Sequence, residues 1–301
     1  MAETGSYFCK AGWIINEKPP LVFRNIAAKH RGKKETILDY IFSHLGIHTS
    51  GCVNHPIVMS EAVCNPNYSR QCLFGLVISL GYNTCHVLPV VRSRFDVRNA
   101  KRINIGSFNM ANFFQRILQL KYSAHASAIT LSRVEALQEL ARNKMNLRVP
   151  EILFQPTMVG IEQAGLAETI EMVLARYTIN DQQKLAENVF ITGGTAKLPF
   201  IKDRIETELL AMRPFQSKFN VHLADDPLLD AWRGARKWAS NDDNLKKFSV
   251  TRQEYEEKGG DYLKDHICSN HYVSQPAPAK KTLVAVSAFP STSTKQEQKV
   301  T

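Results

Sequence analysis

A strand, a glycine turn and a second strand in close succession make a restrictive pattern, because they read as a hairpin with a tight turn. The chain carries it twice. One copy is Gly5-Ser6-Tyr7-Phe8-Cys9-Lys10-Ala11-Gly12-Trp13, and the other is Leu76-Val77-Ile78-Ser79-Leu80-Gly81-Tyr82-Asn83-Thr84-Cys85-His86-Val87. A third stretch, Val189-Phe190-Ile191-Thr192-Gly193-Gly194-Thr195, runs from an apolar strand into paired glycines. Glycine lets a backbone approach a ligand closely, and successive N–H groups in a turn make a concavity for anions. Each stretch alone is most simply a turn. Three of them, in a chain where strands and helices alternate, point to an α/β fold of two lobes around a phosphate-binding cleft.

Helical periodicity fills the spaces between. Met110, Phe113, Phe114, Ile117 and Leu118 share one face of a helix that Ser107 is placed to cap. Ser132-Arg133-Val134-Glu135 reads as a capping box at the start of the next. Leu166, Ile170, Val173, Leu174 and Tyr177 make another amphipathic face. Ile201, Ile205, Leu209 and Met212 follow, with Pro199 near the first turn, where a missing N–H costs little. Leu228, Ala231, Trp232, Ala235 and Trp238 make the last. The two tryptophans are expected in the core rather than as an anchor for a partner.

Composition narrows the setting. No apolar stretch reaches the roughly 18 residues a membrane span needs, so no membrane partner is expected. The first ten residues show no basic segment leading into an apolar run, and no secretory signal is expected from them. Six scattered cysteines read as reduced thiols rather than a disulfide framework. Cys52 with His55 and Cys268 with His271 form two C-x-x-H pairs, a spacing too common to imply zinc, and no metal site is assigned. A net charge of +10 favours acidic partners, nucleic acid among them. The densest basic run, Lys29-His30-Arg31-Gly32-Lys33-Lys34, reads first as a solvated loop. Residues 274–301 are rich in Ser, Pro, Ala, Thr, Lys and Gln and are expected to be a disordered tail.

Three longer stretches carry a family resemblance. His55-Pro56-Ile57-Val58-Met59-Ser60-Glu61-Ala62 with Asn65-Pro66, Val149-Pro150-Glu151-Ile152-Leu153-Phe154-Gln155-Pro156, and Thr251-Arg252-Gln253-Glu254-Tyr255-Glu256 occur in the order of similar segments in actin. The chain thus resembles the actin family. Further stretches, such as Asp39-Tyr40-Ile41-Phe42-Ser43-His44 and Ala128-Ile129-Thr130-Leu131-Ser132-Arg133, are similar to a nuclear actin-related branch of it. Relative to the family, blocks are missing near Lys34 to Thr36, after Gln71, and between about Glu139 and Leu147. The resemblance implies an actin-type, two-lobed, ribonuclease H-like duplicated fold with truncated outer subdomains. Residues 1–72 with 230–273 would make the first lobe and residues 73–229 the second.

By the same resemblance, Gly5, Ser6 and Lys10 would face phosphate from the first hairpin. Gly81 would do so from the second, and Gly193, Gly194 and Thr195 from the third loop. Glu3 stands where the family has a metal-organising aspartate, whereas Ser79 replaces the second such aspartate and Tyr82 a nearby acid. The glutamine that positions the attacking water would lie in the block missing after Gln71. His86 matches the family's histidine without its acidic neighbours, and Ser107 crowds a position that is usually glycine. Since hydrolysis needs charge neutralisation and a placed water, no catalytic residue is assigned and the chain is read as a non-enzyme. Weakly held ATP or ADP is the one cofactor expected. The implied role is a subunit of a nuclear chromatin-remodelling ATPase of the inositol-requiring class. Its partners would be other remodeller subunits and, indirectly, nucleosomal DNA. The rival readings are an ATP-hydrolysing relative and a cytoskeletal filament former; the expected location is the nucleus, with the cytoplasm as a second.

Overall fold

Strand β5 (Phe74–Leu80) is where the apolar pattern is densest, and it becomes the middle of the larger sheet. It runs antiparallel to β6 (Cys85–Val91), forming the hairpin read from the glycine turn, and parallel to β9 (Val189–Thr192). Outside β9 lies the parallel strand β10 (Val221–Leu223). Outside β6, the short strands β7 (Arg94–Phe95) and β8 (Lys101–Ile103) pair with its opposite ends. Alternation sorts the side chains of β5 onto two faces. Leu76, Ile78 and Leu80 enter the main core, while Val77 joins Leu88, Val90, Phe190 and Ala224 on the other face.

Helices cover the main face. The helix Leu166–Leu174 contributes Ile170 and Val173, and the helix Ile201–Met212 contributes Ile205 and Leu209. Met110 comes from the helix Ser107–Lys121, and Ile152 and Leu153 come from a 3-10 turn, Pro150–Leu153. Of the periodic apolar positions predicted for these segments, Met110, Leu166, Ile170, Val173, Leu174, Ile201, Ile205 and Leu209 are buried, whereas Phe113, Phe114, Ile117, Tyr177 and Met212 are only partly buried against the same core. Two cap assignments are corrected. Ser107 is the first residue of its helix, not its cap; Gly106 holds the cap position, its N–H donating to Asn109 Oδ1 at 3.1 Å. Ser132 lies inside the helix Leu131–Leu140, so the reciprocal bond expected with Glu135 does not form. Glu135 turns elsewhere.

The smaller sheet has the order β3-β2-β1-β4. Strands β1 (Ala2–Thr4), β2 (Phe8–Ala11) and β3 (Leu21–Arg24) form an antiparallel meander, and β4 (Met59–Ser60) adds to β1 in parallel. Its apolar face packs on the helix Ile37–His44 through Ala2, Ala11 and Ile41. The helix Asp230–Ala239 also reaches this sheet, for Arg236 Nε donates to Ile14 O at 2.9 Å and the Trp232 indole lies against Gly12.

The computed structural model describes residues 1–25, 37–47, 53, 55–60, 74–140, 149–212, 217–259, 262 and 266. The 274–301 tail, the 29–34 basic run, Cys52, Cys268, His271 and most of the three shortened junctions lie outside the described residues. Among the described residues, no helix is long and apolar enough to cross a membrane. This mixed α/β architecture, two sheets with helices packed on them, is consistent with the actin-type fold that the sequence resemblance implies.

Trp232 is fully buried, with 0% of its surface exposed, and its indole Nε1 finds no partner among the described residues. Replacing it with alanine should lower unfolding free energy by about 3–5 kcal/mol through the cavity left behind. Phenylalanine should cost much less, since it removes an unsatisfied buried N–H along with part of the ring system. Urea denaturation of the three proteins measures both effects.

Candidate functional site

The two hairpins are closed by the same device. Gly5 N–H donates to Phe8 O at 3.0 Å, and Gly81 N–H donates to Thr84 O at 3.0 Å. A Cβ on either glycine would lie 2.8 or 2.5 Å from that same carbonyl, so the turn itself demands glycine. Gly193 has φ +97°, and its missing Cβ would meet Leu80 O at 2.3 Å. The third loop is therefore pressed onto the end of β5. The Thr195 hydroxyl donates to Gly81 O at 2.7 Å. At the start of the 107–121 helix, the amides of Ser107 and Phe108 donate to Gly81 O and Tyr82 O at 3.3 and 2.9 Å. Gly81, Gly193, Gly194, Thr195 and Ser107 are thus gathered around the second hairpin, with Gly5 and Ser6 on the first.

Lys10, read as a phosphate ligand, is 4% exposed and engaged within the protein. It faces Glu3 across β1 and β2, where its ammonium meets Glu3 Oε1 at 2.7 Å, and it also donates to the carbonyl of Leu228. A buried ammonium without such partners would be costly, so this pair holds the first sheet against the loop that enters the 230–239 helix. Glu3 Oε2 is a buried acceptor without a partner among the described residues.

Between the hairpins lies a cluster that the motifs did not reveal. The Tyr7 ring at the first hairpin tip packs on the Tyr82 ring at the second, with centroids 4.5 Å apart. Arg24, the last residue of β3, sits over the Tyr7 ring at 4.6 Å and forms an ion pair with Glu135. The Tyr82 hydroxyl donates to the other oxygen of Glu135, and the Tyr82 ring also touches Phe108. The Glu135 side chain is only 10% exposed, so both of its oxygens require partners and both have them. Burial and the bond to Glu135 push the Tyr82 phenol well above its ordinary range. Asn25 braces the same end of the first hairpin, donating through its side chain to Gly5 O and through its backbone to Tyr7 O, each at 2.8 Å. Arg24 belonged to no motif. Glu135 had been given a capping role, while Tyr82 was read only as a lost acid.

These residues do not fit a magnesium polyphosphate. The loop hydroxyl and the helix-terminal amides nearest the second hairpin are engaged with that hairpin's own carbonyls. Two aromatic rings and a carboxylate stand between the hairpin tips. Ser79, paired with His86 and Thr192 across the sheet, supplies no charge. A hydrated divalent cation is held by carboxylates, and Glu3 Oε2 is a single leftover oxygen. No cluster of three His, Cys, Asp or Glu side chains suited to a metal occurs among the described residues.

Residues 138–267 match the actin family. The chain is 29% identical to human actin-related protein 5, over 90% of this chain and 89% of that protein. With the chicken protein of that name it is 27% identical, over 94% of this chain and 91% of the relative. The fission-yeast actin-like protein arp5 is 40% identical over 54% of this chain, which matches 23% of the yeast protein. The human alignment runs to 542 positions, about half of which must face gaps in a chain of 301 residues. Whole internal stretches of that relative have no counterpart here.

His86 lies on the polar end of β6 opposite Arg102 of β8. Burial, reinforced by the Arg102 charge, pulls the imidazole below its ordinary value of 6.5. The unfolded chain therefore binds the proton first as pH falls. The contribution of neutral His86 is complete above pH 6.5 and is lost as pH drops toward the folded value. His86→Gln should flatten the slope of urea midpoint against pH between about pH 5 and 7. An unchanged slope would show that other groups set it.

Proposed function

The chain carries an actin-family domain, and on that premise we propose that it acts as a non-catalytic, actin-related subunit of a nuclear ATP-dependent chromatin-remodelling assembly. The observation that carries this reading is the reach of the similarity: it runs along nearly the whole of this chain and spans the human and chicken actin-related proteins 5 almost from end to end, with internal stretches of the relatives unmatched. The partners are other remodeller subunits, with nucleosomal DNA and histones met through them, and the place of action is the nucleus. Its work there belongs to transcription regulation, DNA repair and DNA recombination.

The site supports a non-catalytic role. A family ATPase organises metal with carboxylates from both hairpins and places a water in line with the terminal phosphate. Here the second hairpin offers Ser79 and Tyr82, and the Lys10 ammonium is held by Glu3 and a backbone carbonyl. Transition-state charge would go unbalanced. What the fold does offer is a surface fixed by two sheets, which is what an assembly subunit requires.

Affinity purification of the tagged full chain from nuclear extract, with partners identified by mass spectrometry, tests the assembly role. Remodeller subunits should be enriched over a mock purification, and their absence would count against it. In a magnesium and ATP turnover assay the purified protein should match a buffer blank. Turnover that disappears in Lys10→Ala would overturn the non-catalytic reading.

A further inference from the structure

The misfit between the cleft and a polyphosphate has a positive counterpart. Here the buried anion beside the hairpins is the protein's own. Glu135 accepts from Tyr82 of the second hairpin and pairs with Arg24, whose guanidinium covers Tyr7 of the first. The rings of Tyr7 and Tyr82 fill the space between the tips at contact distance. Arg24 and Tyr7 belong to the smaller sheet, whereas Tyr82 and Glu135 belong to the larger sheet's hairpin and a helix beyond it. Two contacts, Arg24 to Glu135 and Tyr7 to Tyr82, therefore cross from one set of elements to the other.

We infer that Tyr7, Arg24, Tyr82 and Glu135 form a built-in clasp that holds the cleft closed without nucleotide, in place of the weakly bound ATP the sequence suggested. The chemistry suits the role. A carboxylate engaged by a guanidinium and a phenol is a charge-assisted pair, stronger than neutral hydrogen bonds, and here the carboxylate is 10% exposed while the Arg24 side chain keeps 39% of its surface in water. The guanidinium also lies on an aromatic face, so one side chain joins both halves of the cluster. Closure then belongs to folding rather than to ligand concentration. The inference stands on this geometry and goes beyond the assembly role, which it leaves unchanged whether it holds or fails.

The test uses the full chain in three measurements. In thermal melts, magnesium ATP at millimolar concentration should leave the melting temperature unmoved, because a ligand stabilises only by binding the folded state. Tyr82→Phe, which removes one oxygen, and Arg24→Met should each lower it by a few degrees, about 3 °C or more. The double variant should fall by less than the sum of the two, since both act through Glu135. Hydrogen exchange should then rise on both sides of the cleft in Tyr82→Phe, at residues 5–9 as well as 81–84. A merely local role for Tyr82 would raise exchange at 81–84 alone. The inference is overturned by a rise in melting temperature with magnesium ATP that chelation abolishes, by additive losses, or by exchange confined to the mutated hairpin.

Discussion

Strand β5 has partners on both edges and apolar neighbours on both faces, and five of its seven residues are buried, which leaves its position little room for compromise. It pairs with β6 and β9 and sends Leu76, Ile78 and Leu80 into one core and Val77 into another. Where it ends, three turns converge on a few carbonyl oxygens. Gly193 presses on Leu80 O, Gly106 on Tyr82 O, and Thr195 donates to Gly81 O. The glycines gathered there are required because backbone meets backbone, and this close packing places the second hairpin. A fold can keep the glycines of a phosphate site for that reason alone.

Electrostatics completes the arrangement. Two carboxylates in or near the cleft each take a cation from a neighbouring strand, Glu3 with Lys10 and Glu135 with Arg24. The first pair is almost fully buried within the smaller sheet and extends to the Leu228 carbonyl. The second spans from that sheet to the helix behind the larger one. Isolated surface pairs of this kind contribute little, but a carboxylate with both oxygens engaged away from water is held in one geometry. Together they tie the smaller sheet to the loop at Leu228 and to the 131–140 helix. The cleft residues serve the shape of the protein, and shape is what a subunit contributes to an assembly.

One sequence pattern occurs twice with opposite outcomes. Ser132-Arg133-Val134-Glu135 was read as a capping box and is not one. Thr251-Arg252-Gln253-Glu254 was noted only for its family likeness, yet it forms the complete box, with Thr251 accepting from Glu254 N–H and Glu254 bonding back to Thr251. Locally the two are equivalent. The second sits at an exposed helix start, where the other cation near the carboxylate, Lys258, stays at 3.8 Å and leaves the box intact. At the first, Tyr82 and Arg24 compete from 53 and 111 residues away and win.

Alternation, helical periodicity and glycine position are local properties, which is why the sequence by itself determined the hairpins, the amphipathic helices, the burial of Trp232 and the family likeness. The lysine of the first hairpin was placed on the correct strand, and its partner was not foreseen. Which cation meets which carboxylate, and whether glycines face a ligand or a carbonyl, depend on contacts between residues distant in the chain. Tyr7, Arg24, Tyr82 and Glu135 lie in four separate segments and share no spacing a motif could record. Only the tertiary structure decided their meeting, because a buried carboxylate takes whichever donors the packed sheets bring within reach.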